Sequence, residues 1–238
     1  MRSFGKSLKL FLAVGFSALM LLACSALFIV FDLQSRSSAQ DAAQARQMAS
    51  LRVLVSTFDS RFDGIEMELD SDGRVTGARW PELTVPETHD LIDRVGQISG
   101  ETATLFEWVP EEGDFIRRTT NIVKPDGSRA VGTWLGKQNP VHAAMLRRET
   151  FQGEAVILGN PYYTIYQPIL NAANEVTGIF YVGVSRATVD AQIADRLKLG
   201  LAATAIAVLL GVLATWLLLG RGLRPLRQIT ERLTGMAN

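Results

Sequence analysis

Two stretches without a charged side chain, one near each end, constrain this chain most. Residues 10–31 and residues 199–220 are each 22 residues long and contain no Asp, Glu, Lys or Arg. At about 1.5 Å of rise per residue, either stretch crosses a hydrocarbon layer roughly 30 Å thick as a helix. Within lipid the backbone must satisfy its own hydrogen bonds, so helices are expected. Arg2, Lys6 and Lys9 precede the first stretch, and Arg221, Arg224 and Arg227 follow the second. The positive-inside rule puts both flanks in the cytoplasm and residues 32–198 outside. Arg196 and Lys198 blur the second boundary, but a long outward segment is translocated regardless of such charges.

Two other readings of the first stretch are weaker. A cleaved signal peptide has an apolar region of about 7–15 residues and a small-residue cleavage site, and this run is longer. Leu21-Leu22-Ala23-Cys24 resembles a lipoprotein processing site, yet the apolar run continues through Phe31. A retained anchor is expected. In the second stretch Ala203, Ala207 and Gly211 recur every four residues, a spacing that lets helices approach closely. The chain has 24 basic and 24 acidic residues, so no net field points to nucleic acid. Cys24 is the single cysteine, which excludes an intrachain disulfide and a cysteine-based zinc framework.

The outward segment opens with helix. Residues 33–55 contain no Gly or Pro, and Ala42, Ala45, Ala49 and Arg52 fall near one face, suited to a contact between helices or subunits. The period then changes to two. Residues 65–69 alternate apolar and acidic, Asp70-Ser71-Asp72-Gly73 supplies a turn, and residues 74–80 return as a second strand. The aspartates resemble the start of a calcium loop, but the glycine comes too early and no closing glutamate follows. Residues 87–98 read as an amphipathic helix with Gly100 just past its end. Strands are expected over 103–109, 114–123, 129–135, 151–158, 162–170 and 176–185, with a short helix or cap over 139–148. The turns Pro110-Glu111-Glu112-Gly113 and Lys124-Pro125-Asp126-Gly127 join neighbours. Short turns favour antiparallel pairing, so the fold class is α+β with an antiparallel meander.

Six stretches in order carry a family resemblance: Thr102-Ala103-Thr104-Leu105-Phe106, residues 114–120, residues 127–133, Phe151-Gln152-Gly153-Glu154-Ala155, residues 163–169 and residues 178–184. Together they resemble the Cache sensor domain in the form described as a Cache-3/Cache-2 fusion, a PAS-like sheet behind a long N-terminal helix. Past the second span, Gly222-Leu223-Arg224-Pro225-Leu226 resembles the start of a HAMP signalling helix. The resemblance implies a methyl-accepting chemotaxis protein-type receptor in a bacterial inner membrane, its sensor domain in the periplasm or extracellular space. The implied parts are a cytoplasmic tail 1–9, spans 10–31 and 199–220, a sensor domain 32–198, and a HAMP-like segment 221–238 that stops within its first helix. Partners implied are a small-molecule ligand such as an organic acid, a second copy in a homodimer, and a cytoplasmic signalling protein.

Alternation places Phe115, Arg117 and Thr119 on one face of their strand and Ile116, Arg118 and Thr120 on the other. Arg117 matches the family's arginine, and Arg129 starts the adjoining strand. A guanidinium fork suits a carboxylate. Trp134, Tyr163 and Tyr166 offer apolar walls with polar tips. The structural alternative pairs the arginines with Glu101, Glu107 or Asp114 and leaves the aromatics as core. Gly132 and Gly183 read as backbone devices. His89 and His142 are the only histidines and lack metal-ligand spacing, and no nucleophile elbow or phosphate loop is present. No enzyme activity and no cofactor are expected. The competing functions are a scaffold subunit without its own output, the input half of a sensor histidine kinase or diguanylate cyclase, and, least supported, an anchored hydrolase.

Overall fold

The computed structural model describes residues 2–222, so the HAMP-like run beyond Gly222 lies outside the described residues. The chain divides into two units. Met1–Ser38 with Gln192–Asn238 make one, and Ala39–Ala191 the other.

The first unit holds two helical stretches. Helix α1 runs Arg2–Asp59, and helix α4, the last element, runs Arg186–Gly222. Both are long and apolar enough to cross a membrane, and side chains such as Leu22, Leu27, Leu199 and Leu209 stand exposed. Within this unit the helices touch where side chains are small. A Cβ at Gly211 would meet the Met20 thioether at 2.2 Å, and one at Gly200 would meet the Phe31 ring at 2.9 Å. The small-residue periodicity of the second stretch thus serves a contact inside the chain at Gly211.

The second unit is an α+β layer structure. Its elements in order are the end of α1, β1 (Glu66–Leu69), β2 (Val75–Arg79), α2 (Asp90–Ser99), β3 (Thr102–Val109), β4 (Asp114–Thr120), α3 (Pro140–Leu146), β5 (Phe151–Ile157), β6 (Asn160–Leu170) and β7 (Val176–Ser185). The seven strands form one sheet in the order β1-β2-β6-β7-β3-β4, with β5 also paired to β6. All pairs are antiparallel except β2 with β6, a short parallel contact at Ala78 and Arg79. The antiparallel meander expected from the short turns therefore has one exception. It occurs where the chain crosses from β2 to a strand far along the sequence.

Turn chemistry sets the hairpins. The Asp70 carboxylate accepts from the N–H groups of Asp72 and Arg74 at 2.9 and 2.8 Å, and Gly73 takes φ 72°. That carboxylate closes a turn, as the hairpin reading requires. Asn139 caps α3 by accepting from Val141 N–H at 3.0 Å, with Pro140 in the first turn.

One expected strand is absent. Residues 129–135 run beside β4 through scattered backbone bonds, from Ala130 N–H to Ile122, Gly132 N–H to Arg117 and Leu135 N–H to Phe115 at 2.9 Å each, and from Arg117 N–H to Thr133 at 3.0 Å. Gly132 at φ 75° breaks the ladder, leaving isolated bridges at Ile116–Trp134 and Val123–Arg129. The segment becomes an irregular wall beside β4.

Each face of the sheet carries its own core. On the first, Leu51, Leu54, Val55 and Phe58 of α1 and Ile92 and Val95 of α2 cover Leu105, Ile165, Phe180 and Val182. The α1 residues follow i, i+3, i+4, i+7, one helical face. Ala42, Ala45, Ala49 and Arg52 are left exposed on α1. On the second face Phe106, Phe115, Tyr166, Ile179 and Tyr181 are covered by Val141, Ala144 and Met145 of α3 and by Ile122 and Ala130.

Arg129 ties α2 to the edge of the sheet. Its two terminal nitrogens donate to the Asp93 carboxylate at 2.7 Å each, and Nη1 also donates to the Thr120 carbonyl at 2.8 Å. The pair is about one-third exposed, which limits its contribution to about 1 kcal/mol. Asp93→Ala should therefore lower the melting temperature by roughly 2–4 °C. Thermal unfolding followed by circular dichroism checks this, and no change would show that the fork is solvated in solution.

Candidate ligand site

The second face of the sheet holds the chemistry. In the β3–β4 hairpin Val109 opposes Asp114, Trp108 opposes Phe115, and Phe106 opposes Arg117. The register then slips, and Leu105 opposes Thr119. Arg118 is the extra residue, a bulge that reverses which face the strand presents beyond it. Phe115 and Arg117 keep the second face. Thr119 moves to the first, where its hydroxyl lies 2.8 Å from Nδ1 of His89 at the start of α2. The expectation that Thr119 shares the face of Arg117 is corrected by this bulge. Thr120 takes the second face instead, its hydroxyl 2.7 Å from that of Thr104.

Arg117 is buried, 7% exposed, and takes part in no ion pair among the described residues. Its Nη1 donates to the Thr133 hydroxyl and to the Ala130 carbonyl at 3.4 Å, and Thr133 donates to the same carbonyl at 2.9 Å. The guanidinium carbon lies 4.9 Å from the Phe106 ring centroid, close enough for a cation–π attraction. Its Nε has no hydrogen-bond partner. Burial draws the Arg117 pKa down, and the neighbouring Tyr166 and Tyr181 phenols oppose that shift.

Aromatic rings enclose this cation. Tyr166 packs on Tyr181 at 4.8 Å between centroids, with Phe106 and Phe151 around it. Phe115 sits between Trp108 at 4.7 Å and His142 at 5.7 Å. The His142 ring nitrogen Nε2 lies 3.0 Å from the Gly113 carbonyl. The Tyr181 hydroxyl lies 3.3 Å from that of Thr102. Gly183 makes room for it, since a Cβ there would stand 1.9 Å from the phenol oxygen. The Tyr166 hydroxyl has no hydrogen bond among the described residues. An open groove of about 710 Å³ runs past Trp108, lined also by Leu83, Glu107, Leu146 and Arg148.

The structure thus brings together Arg117, Phe115 and Tyr166 of the residues expected from sequence. The others lie apart. Arg129 is engaged with Asp93. Tyr163 opposes Val184 on the first face, three residues and one reversal away from Tyr166. Trp134 pairs with Ile116, on the face away from Arg117, and is 44% exposed. Sequence reasoning missed Phe106, Thr133 and Tyr181. Counting outward from the Pro110–Gly113 turn pairs Phe106 with Arg117, so that neighbour was within reach.

The family comparison agrees with this architecture. The profile described as the Cache 3/Cache 2 fusion domain matches residues 30–204. The chain belongs to that family. Among solved structures, this Cache domain is similar to the ligand-binding domain of the Campylobacter jejuni chemoreceptor Tlp3 in complex with L-valine. Identity is 9% and the TM-score 0.42, over 77% of this chain and 67% of that one. The Tlp3 sensory domain with isoleucine bound gives 9% and 0.41, over 77% and 66%. The periplasmic domain of RsbU from Chlamydia trachomatis gives 11% and 0.32, over 67% and 56%. The chain spans about two thirds of the length of the Tlp3 domains. No curated protein matches it.

Burial pushes the Tyr166 phenol up to about 12 and raises Tyr181 well above its ordinary value. A phenol that titrates later in the folded state than in the unfolded state keeps its full stabilising effect below pH 10. Above pH 10 the unfolded chain releases its protons first, so stability falls as pH rises towards 12. Melting temperature measured from pH 9 to pH 12 should decline across that window, less steeply in Tyr166→Phe. Equal slopes in the two proteins would show that Tyr166 is not buried.

Proposed function

We propose that this chain is a two-pass sensor of a bacterial inner membrane whose Cache domain faces outward and binds a small anionic ligand at Arg117. The observation that carries the reading is a buried guanidinium with an unpartnered Nε and no carboxylate beside it. A charge in such a place is expensive unless something pairs with it. Buried charged groups with perturbed pKa values cluster at functional sites, and an anionic ligand would complete this one. Phe106, Phe115, Tyr166 and Tyr181 form apolar walls with hydroxyl tips, and Thr133 orients the fork. The groove past Trp108, whose ring packs on Phe115 at 4.7 Å, is the entrance in this reading.

The route of the signal follows the chain. Tyr181 reaches the Arg117 group from the middle of β7, and α4 begins at Arg186, the residue after β7 ends. Ligand seated on Tyr181 would bias the position of β7 and with it the helix that continues from it. The shift is limited to the ligand's difference in affinity for the two arrangements. The basic flanks keep both chain ends in the cytoplasm, where a signalling partner reads the change. The exposed Ala42, Ala45 and Ala49 on α1 give a second copy a close seam. The role is sensory and non-enzymatic.

Arg117→Met separates this role from a structural one. Replacing a buried unpaired charge with an apolar side chain of similar volume should stabilise the ligand-free protein by about 1–3 kcal/mol. The same change should abolish the thermal shift that small carboxylates produce, since binding to the native state alone raises the melting point. The assay uses the full chain in lipid nanodiscs. A variant that melts several degrees lower would show that Arg117 holds the fold together, and the site assignment would fail.

A further inference from the structure

The class of ligand follows from what the Arg117 group lacks, and this step rests on the anchor proposed above. Two groups have uncommitted donors, the Arg117 guanidinium at Nε and Nη2 and the Tyr166 hydroxyl. No carboxylate there is uncommitted. Asp114 is the acidic residue nearest Arg117 along β4, and it is already spent. Its Oδ1 accepts from Phe115 N–H at 2.7 Å, both oxygens accept from Gly136 N–H at 3.3 and 3.1 Å, and His142 Nε2 stands 3.8 Å away. Glu107 is engaged by Arg118, and Asp93 by Arg129. The Ala130 carbonyl already accepts from both Arg117 and Thr133. The remaining surroundings, Phe106, Phe115, Tyr181 and Met145, are fully buried.

A carboxylate entering this group meets one fixed positive charge and one phenol. An ammonium carried on the same ligand would lose its hydration and meet no anion, next to a guanidinium that repels it. We infer that the site takes small monocarboxylates that carry no amino group and rejects the corresponding α-amino acids. An apolar pocket rejects a ligand that merely adds a hydroxyl by about a hundredfold, and a charged ammonium left without an anion costs more than a hydroxyl does.

Titration calorimetry on the full chain in nanodiscs tests this with pairs that differ only in the amine: propanoate and L-alanine, 3-methylbutanoate and L-valine, 3-phenylpropanoate and L-phenylalanine. The expected result is that at least one deaminated acid binds more than tenfold tighter than its amino acid, and that Arg117→Met loses that binding. Should Arg117→Met fail to fold, Tyr166→Phe removes the phenol donor and should weaken the same acid several-fold. If an amino acid binds within tenfold of its deaminated partner and the variants lose both, the exclusion of ammonium is overturned while the anchor stands. If the variants bind as the parent does, the anchor is overturned as well. If no member of any pair binds, both are overturned.

Discussion

A positive charge held inside an aromatic layer without a negative partner is the constraint around which this domain is arranged. Isolated burial of a guanidinium costs several kcal/mol. The chain offsets part of that cost with the Phe106 ring face, the Thr133 hydroxyl and the Ala130 carbonyl. None of these carries a negative charge, and Nε still has no acceptor. The irregular segment after β4 exists in the form that supplies two of these contacts. Had residues 129–135 formed a regular strand, Gly132 would not turn and Thr133 would not be set against the arginine. The site and the broken strand are one feature.

The two faces of the sheet divide the work. The first face, under α1 and α2, is a close-packed apolar layer in which Trp80 stacks on Phe180 and Phe58 meets both edge-on. Such layers resist deformation. The second face carries the polar atoms, the tyrosine hydroxyls and the cation. Strand β7 contributes to both, with Phe180 and Val182 on one side and Ile179 and Tyr181 on the other. The opposite side of β7 packs against α1 through Phe180 and Phe58. The next residue after that strand starts α4. Strand β7 thus joins both faces of the sheet to the C-terminal helix.

Much of this was legible in the sequence. The length of the uncharged stretches set both long helices, and Asp70 to Gly73, Pro110 to Gly113 and Lys124 to Gly127 set three turns. Six of the eight expected strands end within a few residues of where they were read. Residues 114–123 form a strand that stops at Thr120, and 129–135 fail as a strand because Gly132 adopts a left-handed conformation, which composition does not announce. The bulge at Arg118 has no sequence signature either, and it alone separates Thr119 from Arg117. Tyr163 and Tyr166 are different: an interval of three within one strand dictates opposite faces, and period-two counting separates them without a structure. Arg117 was identifiable as a candidate, but its lack of a carboxylate partner required the fold, since Glu107 and Asp114 sit close to it along the chain and are consumed elsewhere.

Arg117 is buried and its Nε has no acceptor, and side-chain NMR of the full chain in nanodiscs, labelled with ¹⁵N-arginine, reports directly on that state and on whether a ligand completes it. The Nε–H of Arg117, assigned through Arg117→Met, should exchange with water far more slowly than that of the exposed Arg52, and its resonance should move on saturation with a bound carboxylate. An Nε–H that exchanges as fast as Arg52 and stays fixed when ligand binds would contradict the central claim.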